Sequence, residues 1–124
     1  MRAILTYHSI DESGSPISMP EAVFRSQISW LAKGHVKVVS LDTLMRMSPD
    51  ANAVALTFDD GFVNFGDVAA PLLAEHGFPS TLFVVTDAAG RTNRWNGQPG
   101  RGVPELPLLN WESLRRLADQ GVEL

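Results

Sequence analysis

The stretch VALTFDDG, residues 54–61, decides the fold that this sequence predicts. Its first five residues are apolar or β-branched, which is typical of a strand buried on both faces. Two adjacent carboxylates, Asp59 and Asp60, follow that strand, and Gly61 then allows the backbone to turn sharply. Because α/β folds keep their active sites at the carboxyl ends of parallel strands, this acidic pair marks the candidate site.

Short apolar segments and helical patterns alternate on both sides of this stretch. The predicted strands, whose nearly continuous apolar character suggests burial on both faces, are residues 3–7, 36–39, 54–58 and 81–85. The first predicted helix begins at a capping box of Ser18 and Glu21 and ends at Gly34. The other predicted helices are residues 41–47, preceded by Ser40, residues 67–75, and residues 111–120, preceded by Asn110. This alternation predicts an α/β fold built around a parallel sheet or barrel.

The length of the chain bounds its organisation. With 124 residues, positions 1–124 fit a single domain. Residues 122–124 have the pattern of a strand that has just begun, and a barrel of this type needs roughly 250 residues. We therefore expect the fold to continue beyond residue 124, and an unpaired sheet edge would then favour self-association. Residues 87–107, rich in Gly, Pro and Asn, predict a long surface loop.

Composition excludes several classes of partner and site. The formal net charge is -4 and the ten Lys and Arg residues are scattered, which argues against nucleic acid as a partner. Without cysteine, any bound metal must use Asp, Glu or His. No apolar run has the length of a transmembrane segment or of a signal-peptide core, so a cytoplasmic location is the default expectation, with export left open.

Several stretches together resemble the polysaccharide deacetylases, the family that shares the NodB-homology domain. The resemblance rests on TFDDG at 57–61, ILTYHSI at 4–10, PLLAEHGFPSTLFV at 71–84 and WESLRRLADQGVEL at 111–124. It implies a distorted (β/α) TIM-like barrel, of which this chain would be the N-terminal part. It also implies a hydrolase that removes N-acetyl or O-acetyl groups from an acetylated carbohydrate.

The same resemblance assigns roles to the acidic pair. Asp59 matches the family's general base, and Asp60 matches its aspartate ligand for a divalent metal, expected to be zinc. In the family, two histidines from a later His-Ser/Thr-x-x-His motif complete the metal site, and this sequence contains no such motif. Because a catalytic zinc usually has three protein ligands, the site is expected to be incomplete and this chain inactive alone.

Two further residues are candidates for binding the substrate. His8 follows the first predicted strand, although a structural hydrogen bond is an equal alternative for it. Trp95 lies in the long loop, where an exposed ring could stack on a sugar, and anchoring of the loop is the alternative. Trp30 and Trp111 lie on predicted helices and are expected to cover the core.

Three other interpretations are open for the same residues. An Asp-Asp-Gly after a strand can be a simple turn in which the carboxylates cap backbone N–H groups. A magnesium-dependent phosphotransferase also uses adjacent carboxylates, although no Gly-rich phosphate loop is found in this sequence. Finally, a non-catalytic carbohydrate-binding or interaction domain would keep the scaffold without the metal site.

Overall fold

The computed structural model describes residues 1–95 and 97–124 and has a parallel sheet at its centre. In this part of the chain the strands are Arg2–Tyr7 (β1), Ser9–Ile10 (β2), Ser18–Met19 (β3), Lys37–Val38 (β4), Ala53–Phe58 (β5) and Ser80–Leu82 (β6). Strand β5 pairs with β1 along its whole length, with β4 along its first residues and with β6 along its last. The two short strands β2 and β3 form a separate parallel pair.

Helices connect these strands, as the alternating pattern predicts. They are Glu21–Leu31 (α1), Leu41–Arg46 (α2), Ala70–Glu75 (α3), which follows a π-helical turn at Phe65–Ala69, and Trp111–Asp119 (α4). Ser40 and Asn110 cap α2 and α4, because their side chains accept hydrogen bonds from the third backbone N–H beyond them. The described helices are too short, or too polar, for any of them to cross a membrane.

The core lies between the sheet and the apolar faces of α1, α3 and α4. Its centre is a group of four aromatic rings, with contacting centroids 4.8 to 6.0 Å apart: Tyr7, Phe24, Phe58 and Phe65. Phe24 and Ile28 of α1 are fully buried, as expected for residues four positions apart on the apolar face of a helix. Every residue of β5 is buried, as its continuous apolar pattern predicts.

The beginning of α1 differs from the prediction. The capping box at Ser18 and Glu21 is wrong, because α1 begins at Glu21 directly after Pro20, and Ser18 lies in β3. The Ser18 hydroxyl is instead hydrogen-bonded to the side chains of Asp11 and Ser15. Partners from the preceding loop therefore override the local capping pattern.

Burial on both faces is wrong for β1. Its side chains alternate between exposed and covered, and Ile4 keeps 47% of its surface exposed. In the described part of the chain β1 pairs only with β5, and self-association through its other edge stays a prediction. Trp30 and Trp111 are also more than half exposed on the outer sides of their helices, so the expectation that they cover the core is wrong.

The remaining strand predictions differ mainly in length. Strand β4 is only two residues long, and β6 ends at Leu82. The strand predicted at 122–124 is present as a single parallel bridge, in which the Glu123 backbone exchanges hydrogen bonds with Ser80 and Leu82. This bridge extends the sheet beside β6.

Candidate functional site

The acidic turn, which we define as Asp59, Asp60 and Gly61, closes β5. Asp59 still belongs to the sheet, because its N–H donates to the Tyr7 carbonyl at 2.9 Å. Asp60 and Gly61 then have left-handed backbone, with φ of 74° and 79°. Glycine adopts that region freely and aspartate tolerates it. The backbone therefore changes direction within two residues, and both aspartates line one cavity.

This first cavity has a volume of about 500 Å³ and lies at the carboxyl ends of β1 and β5. Its lining residues are Ile4, Thr6, Leu41, Thr57, Asp59, Asp60, Phe83, Val84 and Val85. The hydroxyl groups of Thr6 and Thr57, which are partners across the two strands, share a hydrogen bond of 2.9 Å. The cavity thus combines an apolar wall with hydroxyl and carboxylate groups, a pattern typical of sites for small polar ligands.

One histidine, His8, lies beside the two carboxylates of the acidic turn. His8 Nε2 lies 3.6 Å from Asp59 Oδ2, which is too far for a hydrogen bond but close enough for attraction when the imidazole is protonated. Burial raises the pKa of Asp60, and the neighbouring Asp59 raises it further, while His8 offsets only part of this shift. Ionisation of Asp60 is therefore less favourable than for a fully solvated aspartate, and a nearby cation would offset that cost.

The structure brings three of the four predicted site residues together. Asp59 and Asp60 line the first cavity, and His8 contacts Asp59 beside it. Both aspartates line the cavity, and no hydrogen bond is among the causes of the Asp60 pKa shift, which disfavours the interpretation of the pair as a simple capping turn. Trp95 is separate: it lines a second cavity of about 460 Å³, and Val85 is the residue common to the linings of both cavities.

Asn64, three residues beyond the acidic turn, is hydrogen-bonded to residues 8–10, which we call the His8 segment. The sequence patterns do not predict this connection. The Asn64 side chain accepts from the Ile10 N–H at 3.1 Å and donates to the Ser9 hydroxyl at 2.8 Å. Ser9 is fully buried, and its hydroxyl donates in turn to Asp11. Since these partners are more than fifty positions from Asn64 in sequence, no local pattern points to them.

The described residues do not complete a metal site. Catalytic zinc usually needs three protein ligands and an open position. Within residues 1–95 and 97–124, no three His, Asp or Glu side chains come together in a way that could hold an ion. Asp60 has the chemistry of a possible ligand, because it is a partly buried carboxylate whose charge is only partly compensated by His8.

Comparison with known proteins points in one direction. The family profile described as polysaccharide deacetylase matches residues 46–124. YxkH from Bacillus subtilis (strain 168) is 26% identical over 126 residues, which cover 98% of this chain and 40% of YxkH. The poly-beta-1,6-N-acetyl-D-glucosamine N-deacetylase of Staphylococcus epidermidis is 30% identical over 109 residues, which cover 85% of this chain and 35% of that protein. The chain therefore spans about two-fifths of the length of these curated relatives or less.

Solved structures share the fold. IcaB from Ammonifex degensii superposes with a TM-score of 0.80 at 23% identity, over 99% of this chain and 50% of that chain. The de-N-acetylase from Aggregatibacter actinomycetemcomitans gives a TM-score of 0.73 at 22% identity, over 99% of this chain and 52% of that one. These likenesses confirm the predicted fold class, an α/β arrangement that corresponds to part of a TIM-like deacetylase barrel.

Proposed function

Because the chain belongs to the polysaccharide deacetylase family, we propose that it carries the base and one metal ligand of a site that hydrolyses acetyl groups on a carbohydrate polymer. The observation that carries this proposal is the convergence of Asp59 and Asp60 on one cavity at the end of β5. The name of the Staphylococcus epidermidis relative, an N-deacetylase, supports N-acetyl groups as the first substrate to test. O-acetyl groups are the second.

Asp59 is proposed as the general base. Its carboxylate is 36% exposed, so water can reach it from the cavity. In the reaction, Asp59 would accept a proton from the water molecule that attacks the acetyl carbon. His8, next to Asp59, is proposed to contact the substrate from the same side of the cavity. Removal of Asp59 would then abolish hydrolysis without changing the fold.

Asp60 is proposed as one ligand of a divalent metal, with zinc as the first candidate. When bound, such a metal lowers the pKa of its water to about 7. Burial raises the pKa of Asp60, and a nearby cation would favour the ionised carboxylate that a ligand must be. Because the described residues supply no complete set of ligands, we also propose that this chain releases no acetate by itself.

Acetate release from acetylated chito-oligosaccharides tests these assignments. It would be measured for the 124-residue chain and for a chimera in which the second half of the Ammonifex degensii relative follows Leu124, so that the expected histidine ligands are supplied. We expect no release from the chain alone with added zinc or cobalt, and chelator-sensitive release from the chimera. Substantial metal-dependent release by the chain alone would contradict the proposed inactivity.

Variants of the chimera separate the roles of the two carboxylates. Asp59→Asn should lower acetate release by at least about 100-fold while zinc stays bound, because general acid–base catalysis contributes that much or more. Asp60→Asn should lower the zinc content as well. Asp50→Asn, which changes an exposed aspartate, is the control and should change neither. Full activity of Asp59→Asn would show that Asp59 is not the base.

One observation favours a second candidate function, a non-catalytic carbohydrate-binding domain. The described residues hold a cavity and an exposed tryptophan, but no complete group of metal ligands. Such a domain would bind acetylated oligosaccharides equally well before and after removal of divalent cations. A chimera that binds sugar but neither zinc nor cobalt would support this second function over the first.

A further inference from the structure

We infer that the second cavity, which contains Trp95, is a separate subsite for an uncharged sugar unit of the polymer. This inference rests on the proposed function, since the two cavities would bind different units of one substrate. It goes further in assigning a ligand class, neutral acetylated hexosamine units, to a place that the acidic turn does not reach. A polymer gains binding energy from such a remote unit without any change at the reacting group.

The composition of the second cavity suits a sugar ring. Its lining residues are Val85, Asp87, Ala88, Arg91, Thr92, Arg94 and Trp95. Trp95 keeps 44% of its surface exposed, which leaves part of the indole free for the C–H groups on one face of a pyranose. Carboxylate, guanidinium and hydroxyl groups around it can exchange hydrogen bonds with sugar hydroxyls. The lining thus combines three apolar or aromatic residues with four polar or charged ones.

The second cavity has a fixed position relative to the acidic turn. Val85 lines both cavities. The Leu109 N–H donates to the Gly61 carbonyl at 2.8 Å, and the Leu109 carbonyl accepts from the Gly90 N–H at 2.9 Å. Leu109 is therefore hydrogen-bonded on one side to Gly61 of the acidic turn. On the other side it is hydrogen-bonded to Gly90, where residues 90–95, the Trp95 loop, begin. A polymer that fits both cavities would need little rearrangement of the protein.

The base of the Trp95 loop is also held firmly. Asn93 is buried, with 3% of its surface exposed. Its side chain donates to the Pro104 carbonyl at 2.9 Å and accepts from the Leu106 N–H at 2.8 Å. Thr92 forms a backbone bridge to Pro107 on the returning segment. Because these contacts lie two or three positions before Trp95, the point from which the indole projects is well defined.

Charge around the second cavity favours a neutral ligand over an acidic one. Arg94 lies 3.6 Å from Glu105, and the Arg91 guanidinium donates a hydrogen bond to the Asp87 backbone carbonyl. The charged lining residues, Asp87, Arg91 and Arg94, sum to a formal charge of +1, and Glu105, which lies outside the lining, brings the sum to zero. Because Glu105 opposes the charge of Arg94, a uronic acid or a sugar phosphate would gain little attraction here, and an uncharged acetylated sugar needs none.

Titration of the 124-residue chain with an acetylated chitopentaose tests the inference. Calorimetry gives the affinity, and amide resonances in two-dimensional NMR spectra give the location. We expect resonances of the acidic turn and of residues 87–95 to shift together. Trp95→Ala should weaken binding by roughly tenfold and remove only the shifts of the loop, since one aromatic contact is lost. Trp95→Phe should recover most of the affinity.

Trp111→Ala is the matched control, because Trp111 is similarly exposed but does not line the second cavity. It should bind the pentasaccharide as the unchanged chain does. The spectra themselves report whether each variant is folded. An acidic oligosaccharide, oligogalacturonate, should bind no more tightly than the neutral one.

Three results would overturn the subsite: unchanged affinity in Trp95→Ala, no shifts of the loop resonances, or no binding of the pentasaccharide at all. Tighter binding of oligogalacturonate would overturn the assignment to a neutral sugar. Failure of the proposed function is a different result, namely no acetate release by the chimera whichever residue stands at position 95. Binding at the loop without acetate release would leave the subsite in place.

Discussion

Asp11 and Asp60 lie in opposite surroundings, although both are partly covered carboxylates next to the sheet. Asp11 accepts hydrogen bonds from the hydroxyls of Ser9 and Ser18 and from the Ser13 N–H. Burial is the largest single influence and raises its pKa, but the hydrogen bonds together outweigh burial, and the pKa of Asp11 is lowered. For Asp60, burial raises the pKa and Asp59 adds to the shift, which His8 only partly offsets.

This difference separates a structural carboxylate from a candidate functional one. The charge of Asp11 is stabilised within the chain, so this residue can hold β2, β3 and the His8 segment together. The causes of the Asp60 pKa shift include no hydrogen bond, and the favourable charge of His8 offsets the shift only in part, so a proton or a bound cation would relieve the remaining cost of the negative charge. Perturbed carboxylates of the second kind are common at functional sites.

Loss of the Asp11 hydrogen bonds should have the largest effect on stability and is therefore the strongest test of this comparison. We expect Asp11→Ala to lower the free energy of unfolding by about 1–3 kcal/mol, because the buried Ser9 hydroxyl loses its acceptor. Urea denaturation followed by circular dichroism measures this change. Asp50→Ala is the control and should stay within about 0.5 kcal/mol of the unchanged chain. Equal stability of all three proteins would mean that Asp11 has no structural role.

A smaller effect of opposite sign is expected at Asp60. Asp60→Asn should raise the Tm by about one degree at pH 7, because an unfavourable, partly solvent-screened charge is removed and asparagine tolerates the left-handed backbone. Asp60→Ala should have a lower Tm than Asp60→Asn, since alanine is strained at a φ of 74°. A lower Tm for Asp60→Asn than for the unchanged chain would show that the charged carboxylate makes a stabilising contact.

The smallest expected effect concerns the pH dependence of folding stability. It also gives the sharpest comparison, because the two aspartates should change stability in different pH ranges. Since the pKa of Asp60 is raised, its ionisation destabilises the folded chain as pH rises from the ordinary aspartate value, about 3.9, through the raised value. Since the pKa of Asp11 is lowered, its contribution is complete above about pH 3.9 and is lost as pH falls through the lowered value.

Thermal melts between pH 3 and pH 7 distinguish these ranges. The gain in Tm of Asp60→Asn should have faded by about pH 4, whereas the loss in Tm of Asp11→Asn should still be present there and fade only at lower pH. We expect differences of about one degree for Asp60 over this range. If both effects faded over the same pH range, the two carboxylates would not differ in the way proposed.

Local sequence patterns predict those parts of the fold that depend on neighbouring residues. The apolar run of β5, the caps of α2 and α4 and the acidic turn all follow from residues a few positions apart. Strands β2 and β3 are two residues long, too short for any period to appear. The exposure of β1 was missed because an apolar sequence alone does not show what covers it.

Local sequence patterns likewise predict only part of the candidate site. The ends of β1 and β5 bring His8 and Asp59 together, because parallel neighbours end at the same edge of a sheet. The link through Asn64 depends on contacts between distant segments, which sequence spacing does not encode. The position of Trp95 in a separate cavity depends on the path of the loop, which is set by the buried Asn93.

The left-handed backbone at Asp60 restricts how this protein could be redesigned or could diverge. Most side chains cost roughly 1–2 kcal/mol in that conformation, and asparagine, aspartate, histidine and glycine are the tolerated choices. Exchange of Asp60 for glutamate, which would keep the negative charge and lengthen the reach, therefore meets backbone strain. Attempts to change what this cavity binds are better directed at the residues around this position than at the position itself.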